Sequence, residues 1–205
     1  MGGKDTKKIG ILGGTFNPIH FGHLLLAESA KDRLGLDEIM FIPTGVNPHK
    51  FAEVNIDASH RLNMIELAIE NNPFFSLSLI EINREGYTYT VDTIKELEQL
   101  YTETDIYFIS GADIIFEIDK WKDAEEVLKK LKIVTTFRPG CDQEQLDNRI
   151  TELKELYNTK ILKLYTPEMD ISSSEIRSRV KHGYSIKYLL PEKVEEYILD
   201  CGLYR

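Results

Sequence analysis

The feature that most constrains this chain is a regular alternation of two hydrophobic periods. Short β-rich apolar runs at Lys8–Leu12, Glu38–Ile42, Phe75–Leu79, Asp105–Ile109 and Lys132–Phe137 read as strands. Between them lie helical patterns at 23–34, 59–71, 91–101 and 122–130, where residues such as Leu62, Ile65, Leu67 and Ile69 fit a period of 3.6 and not of two. Beyond Arg138-Pro139-Gly140 the pattern predicts a helix over 143–157, a strand at Ile161–Tyr165 and closing helices near 173–182 and 191–199. Strand, helix, strand in succession implies an α/β chain with an open parallel sheet, because a right-handed helical crossover is what returns the chain to a parallel neighbour.

The 205 residues carry 42% hydrophobic and 29% charged side chains, an ordinary globular balance. Pro and Gly mark turns without clustering into a hinge, so one domain is expected over 1–205. Its core spans about 7–165, with a helical C-terminal part over about 171–205. Twenty-five Lys and Arg against 34 Asp and Glu give a net charge of −9, which argues against a nucleic-acid surface. No run approaches the roughly 18–20 apolar residues a membrane span requires, and a cytoplasmic, non-membrane protein is expected. Cys141 and Cys201 form neither a CxxC nor a zinc-ligand spacing, so no disulfide scaffold or structural metal site is expected.

The densest signal follows the first strand: Gly13-Gly14-Thr15-Phe16-Asn17-Pro18-Ile19-His20-Phe21-Gly22-His23, then the apolar Leu24-Leu25-Leu26-Ala27. Paired glycines at a strand end allow positive φ and admit a ligand to the backbone, and Gly22 allows the same where the helix begins. The helix N-terminus favours an anion. His20 and His23 are spaced to share one side of the turn, and both can donate to phosphate oxygens. A lone histidine is more often a packing residue. Two in a glycine-rich strand-to-helix turn favour phosphate contact, and a two-histidine zinc site lacks a third ligand nearby.

Near the C-terminus, Ile171-Ser172-Ser173-Ser174-Glu175-Ile176-Arg177 reads as a helix start, with Ser172 and Glu175 in an S-x-x-E capping box and Arg177 able to reach the same anion. Taken alone, it reads equally well as a capped surface helix. Arg84-Glu85-Gly86-Tyr87-Thr88-Tyr89-Thr90-Val91-Asp92-Thr93 reads by itself as a hairpin or a helix cap, since Thr90 and Thr93 are good cap residues. Trp121, flanked by Lys120 and Lys122, is expected to be partly exposed.

Together these segments resemble one family. The turn carries the HxGH signature of the nucleotidyltransferase superfamily, and its longer form resembles bacterial nicotinate mononucleotide adenylyltransferases. The second segment is similar to that family's ISSTxxR motif, with Ser174 in place of Thr. Pro43-Thr44-Gly45-Val46-Asn47-Pro48-His49-Lys50 resembles its PxxxPPHK loop, residues 84–93 its REGxSYTxDT segment, and Phe108–Asp113 with Trp121 its FIxGAD…W segment. Asn17 stands where the bacterial motif more often has Asp.

The resemblance implies a Rossmann-like sheet with a helical C-terminal cap that carries the second phosphate motif. It implies adenylyl transfer from ATP to nicotinate mononucleotide, with Mg²⁺ accompanying the ATP and no protein metal site. His20, His23 and Arg177 are the implied catalytic residues. Gly13, Gly14, Thr15, Phe16, Gly22, Gly111, Asp113, Ile171, Ser172, Ser173 and Ser174 are the implied ATP contacts. Asn17, His49, Lys50, Thr90, Asp92, Thr93 and Trp121 are implied on the acceptor side. A homo-oligomer is compatible with all of this. The rivals are another phosphorylated acceptor, such as phosphopantetheine or glycerol 3-phosphate, and a binding protein without turnover. A class I aminoacyl-tRNA synthetase fragment would show a KMSKS-like segment, which this chain lacks.

Overall fold

The computed structural model describes residues 6–46, 56–137, 142–167 and 169–205. Six parallel strands form one sheet: β1 (Lys7–Gly14), β2 (Glu38–Pro43), β3 (Phe75–Leu77), β4 (Thr104–Gly111), β5 (Lys132–Phe137) and β6 (Lys160–Tyr165). Their order is β3-β2-β1-β4-β5-β6. The central strand β1 pairs with β2 on one side, Gly10 opposite Ile39, and with β4 on the other, Leu12 opposite Ile109.

Helices cover both faces, as a parallel sheet requires when every strand is apolar on both sides. α1 (Phe21–Leu34) and α2 (Ala58–Ile69) pack on the face formed by Leu12, Ile39, Phe41, Ile109 and Val134. On the other face lie Ile9, Ile11, Met40, Phe108 and Ile133, covered by α3 (Thr90–Leu100), α4 (Ala112–Ile115), α5 (Ala124–Lys130) and α6 (Gln143–Tyr157). The chain changes face between β3 and β4, so β1 and β4 flank the point where the winding reverses. In an open α/β sheet a crevice opens there beyond the carboxyl ends of the strands.

After β6 the chain returns to the first face with α7 (Ser173–Lys181) and α8 (Glu192–Asp200). Ile176, Val194, Ile198 and Leu203 belong to the same apolar cluster as α1 and α2, so the C-terminal helices complete that core. No helix among the described residues is long and apolar enough to cross a membrane.

The expected elements are present with small shifts. β3 stops at Leu77, and the expected helix over 122–130 begins only at Ala124, preceded by a 3₁₀ turn at Ile118–Lys120. Four-residue α4 was not anticipated, because one turn is too short to show a period. Thr90 and Thr93 do not cap α3: the N-cap is Tyr89, which makes no side-chain cap bond, and Thr93 is buried. Cys201 is a free, exposed thiol, and Cys141 lies outside the described residues.

Ile39 is fully buried at the centre of the first face. Ile39→Ala is expected to lower the unfolding free energy by about 2–5 kcal/mol, through lost burial and a residual cavity. Urea unfolding checks this as a lower midpoint at unchanged slope.

Candidate active site

The turn leaving β1 takes its shape from Phe16 and not from the glycines. Neither Gly13 nor Gly14 has positive φ, whereas Phe16 sits at φ 49°. This corrects the expectation of a left-handed glycine pair. A Cβ on Gly13 would meet nothing within 4 Å, so what that glycine provides is open space above the backbone. Holding an aromatic residue in the left-handed region costs about 1–3 kcal/mol. The buried Phe16 ring offsets this, wedged 5.8 Å from the Phe41 ring and 5.0 Å from that of His23. The next peptide, Asn17–Pro18, is cis.

α1 then begins with an N-terminal cap built from the two histidines. The His20 Nδ1 accepts from the Gly22 N–H at 3.1 Å, and the His23 Nδ1 accepts from the His20 N–H at 3.3 Å. This reciprocal arrangement is a capping box with imidazoles in place of the usual hydroxyl and carboxylate. It also fixes chemistry, since a ring nitrogen that accepts carries no proton, which places the ring's N–H on Nε2 in both residues. The rings lie 3.8 Å apart, centre to centre, with a 32° tilt. His20 is 5% exposed and His23 half-buried. A Cβ on Gly22 would lie 3.0 Å from the His20 ring, so this glycine makes room for the imidazole. No acidic residue stands in the first turn of α1, so its positive end is not neutralised locally.

The second motif meets this turn directly. Ser172 caps α7 by accepting from the Glu175 N–H at 3.1 Å. Ser173 Oγ donates to the Pro18 carbonyl at 2.9 Å. Arg177 donates through Nη1 to the Asn17 carbonyl at 2.8 Å and through Nη2 to Ser174 Oγ at 3.2 Å. Half-buried Ile171 packs against the core, with its carbonyl 3.6 Å from where a Cβ of Gly22 would be. Ser173, Ser174 and Arg177 are thereby brought to the turn that carries His20 and His23.

Two residues that sequence reasoning missed also hold the turn. Arg61, on α2, is 5% exposed and donates through Nη1 to the Thr15 carbonyl at 3.0 Å. Burial lowers its pKa, against the opposing influence of Tyr204 and Asp57. Tyr204 donates to Asn17 Oδ1 at 2.5 Å, and burial pushes its phenol well above the usual tyrosine range. Arg61 had a legible signal: it shares the buried face of α2 with Met64, Ile65 and Ile69, where a charged residue needs a reason. Tyr204 had none beyond its place in the C-terminal segment.

Across the crevice, Gly111 ends β4 and caps α4, and the Asp113 carboxylate folds back over it so closely that a Cβ there would overlap it. Thr90 opens α3. Asp92 pairs with Lys122 at 3.3 Å, which brings the 84–93 segment beside half-buried Trp121, whose ring packs edge-on to Phe108 at 5.9 Å. The Thr93 hydroxyl faces inward, donating to Glu81 and accepting from Arg84, both at 2.9 Å. His49 and Lys50 lie outside the described residues.

The family model described as cytidylyltransferase-like matches residues 11–179, a span that holds both the β1–α1 turn and Arg177, and it places the chain among the nucleotidyltransferases. The "probable nicotinate-nucleotide adenylyltransferase" of Thermoanaerobacter sp. (strain X514) is 48% identical over 97% of this chain and 94% of its own. The protein of the same description from Lachnoclostridium phytofermentans is also 48% identical, over 97% and 99%. The chain belongs to the nicotinate-nucleotide adenylyltransferase family. The fold is similar to that of Plasmodium falciparum nicotinic acid mononucleotide adenylyltransferase complexed with NaAD, with a TM-score of 0.80 at 23% identity over 97% of both chains.

Arg61→Met keeps the length of the side chain and removes the donor to Thr15. It is expected to cost about 1–3 kcal/mol, because the carbonyl of half-buried Thr15 loses its charged partner. Chemical denaturation of the variant against the parent measures this; equal stability would mean that solvent replaces Arg61 at Thr15.

Proposed function

We propose that this protein transfers the adenylyl group of ATP to nicotinate mononucleotide, releasing pyrophosphate and forming deamido-NAD. A phosphate oxygen of the mononucleotide attacks the α-phosphorus of ATP. The new P–O bond forms as the bond from the α-phosphorus to the α,β-bridging oxygen breaks, and pyrophosphate leaves with that electron pair. The observation that carries this reading is the paired imidazole cap of α1, with both Nε2–H groups defined as donors by the bonds their Nδ1 atoms accept.

A substrate phosphate is already a nucleophile, so no serine or cysteine attack is required. Such a transfer can run on alignment and on stabilisation of charge at the non-bridging and leaving oxygens. His20 and His23 supply donors, Arg177 supplies donors and positive charge, and Ser174 with the α7 N-terminus holds the departing pyrophosphate. Ser172 and Ser173 act through the backbone, one capping α7 and the other tying it to Pro18. Gly13, Gly14, Thr15, Phe16 and Gly22 shape the floor under the triphosphate, Ile171 borders it, and Gly111 and Asp113 face the adenosine. Asn17, Thr90, Asp92 and Trp121 border the acceptor, with His49 and Lys50 assigned there by family resemblance, and Thr93 supports that side from below. The chain acts as one nucleotidyltransferase domain in the cytoplasm.

Mg²⁺ accompanies ATP, as is general for ATP-using nucleotidyltransferases. Among the described residues no group of three or more His, Cys, Asp or Glu could hold a metal ion. The side chains at the turn are donors that suit phosphate oxygens, so Mg²⁺ would be held mainly by the substrate oxygens, where it would neutralise part of the polyphosphate charge.

Losing one donor in a water-poor site costs about 2.7–4 kcal/mol, a hundred- to thousandfold in turnover. His23→Ala is expected to lose that much turnover and, through the broken cap, about 0.5–1.5 kcal/mol of stability. His23→Gln restores the capping-box acceptor and the stability but not the turnover, which separates the two roles of the ring. Pyrophosphate release with ATP and Mg²⁺ tests the reaction. Nicotinate mononucleotide is the expected acceptor; activity only with phosphopantetheine would replace it, and silence with all acceptors would leave a binding protein.

A further inference from the structure

Glu81 lies between β3 and α3, outside every motif considered above, yet it ties together two segments beside the site. Thr93 Oγ1 donates to Glu81 Oε1 at 2.9 Å and accepts from Arg84 Nη1, whose Nη2 pairs with Glu96 at 2.7 Å. The Gly45 N–H faces the same carboxylate, and the Thr88 hydroxyl lies close to it while donating to the Val46 carbonyl at 3.4 Å. Burial pushes the Glu81 carboxyl above the usual glutamate range, against these donors and the Arg84 charge. Gly45 approaches so closely that a Cβ there would overlap the Glu81 carbonyl oxygen and lie 2.9 Å from Thr88 Cγ2. The contact continues as a parallel bridge between Val46 and Tyr87, with the Thr88 N–H donating to the Val46 carbonyl at 3.0 Å.

Both ends of this cluster lead into the site. On one side the Thr44 N–H, adjacent to Gly45, donates to the Gly14 carbonyl at 2.9 Å. On the other, Thr93 stands in the first turn of α3 next to Asp92, whose carboxylate pairs with Lys122 beside Trp121. This half-buried carboxylate, alongside the Val46–Tyr87 bridge, joins the rim of the phosphate turn to the wall that carries Asp92 and Trp121.

We propose that Glu81 is a positioning residue for the acceptor nucleotide: by holding Gly45 and Thr93 together it sets the distance between the acceptor wall and the phosphate turn. This rests on nicotinate mononucleotide being the acceptor. Glu81→Ala removes the tie, whereas Glu81→Gln keeps an oxygen for Thr93 and Gly45. Glu81→Ala is expected to raise KM for nicotinate mononucleotide about tenfold or more, with KM for ATP changed less than about twofold and kcat lowered less than KM is raised. Glu81→Gln should fall close to the parent. Equal effects on both substrates, or a loss of thermal stability with both KM values unchanged, would overturn the proposal. So would a glutamine variant as impaired as alanine, since the charge itself would then be acting. Hydrogen exchange is read in parallel on the parent and Glu81→Ala without substrate. Faster exchange at Gly45 and Thr88, with α7 unchanged, is expected, and no change there would overturn the tie. If the parent does not use nicotinate mononucleotide, the proposed reaction fails, and the exchange result decides the Glu81 tie by itself.

Discussion

The turn between β1 and α1 presents backbone carbonyls that need donors from elsewhere in the fold. A buried backbone carbonyl without a partner is costly. Here Thr15 is served by Arg61, Asn17 by Arg177 and Pro18 by Ser173, while the Asn17 side chain is held by Tyr204. These partners come from α2, α7 and the segment after α8, so the turn takes its shape only with all three packed around it. The left-handed Phe16 belongs to the same balance, since burial of its ring holds a backbone conformation that an isolated chain would avoid.

Charge follows a similar logic. The protein carries a net charge of −9, yet the residues from Gly13 to His23 include no carboxylate and are approached by two arginines. Neither arginine sits on the turn. Arg61 is committed to the backbone beneath it, and Arg177 spans the Asn17 carbonyl and the Ser174 hydroxyl at its edge. Positive charge gathers at one turn of an acidic protein by convergence of separate elements, which composition cannot reveal.

Legibility differed between the parts of the site for physical reasons. The alternation of periods located all six strands, because burial on both faces of a parallel sheet demands continuous apolar runs. Gly13, Gly14 and the histidines stood out because residue type and spacing together are rare at a strand end. Their roles in the backbone did not follow from type: the glycines proved extended, and His20 and His23 took capping positions usually filled by hydroxyl and carboxylate side chains. Thr93 looked like a cap and lies buried against Glu81, whose place in the structure no local pattern marked.

The sequence by itself determined the class of fold, the strand whose end carries the site, and the chemical groups that line it, since these depend on periodicity and on residue types close together in the chain. Only the tertiary structure decided which donor serves which carbonyl and which ring nitrogen of each histidine carries the proton. Every residue has a carbonyl, so an acceptor leaves no mark of its own in the sequence. Its partner is settled by packing of elements 46 residues away, as for Arg61 and Thr15, or 187 residues away, as for Tyr204 and Asn17.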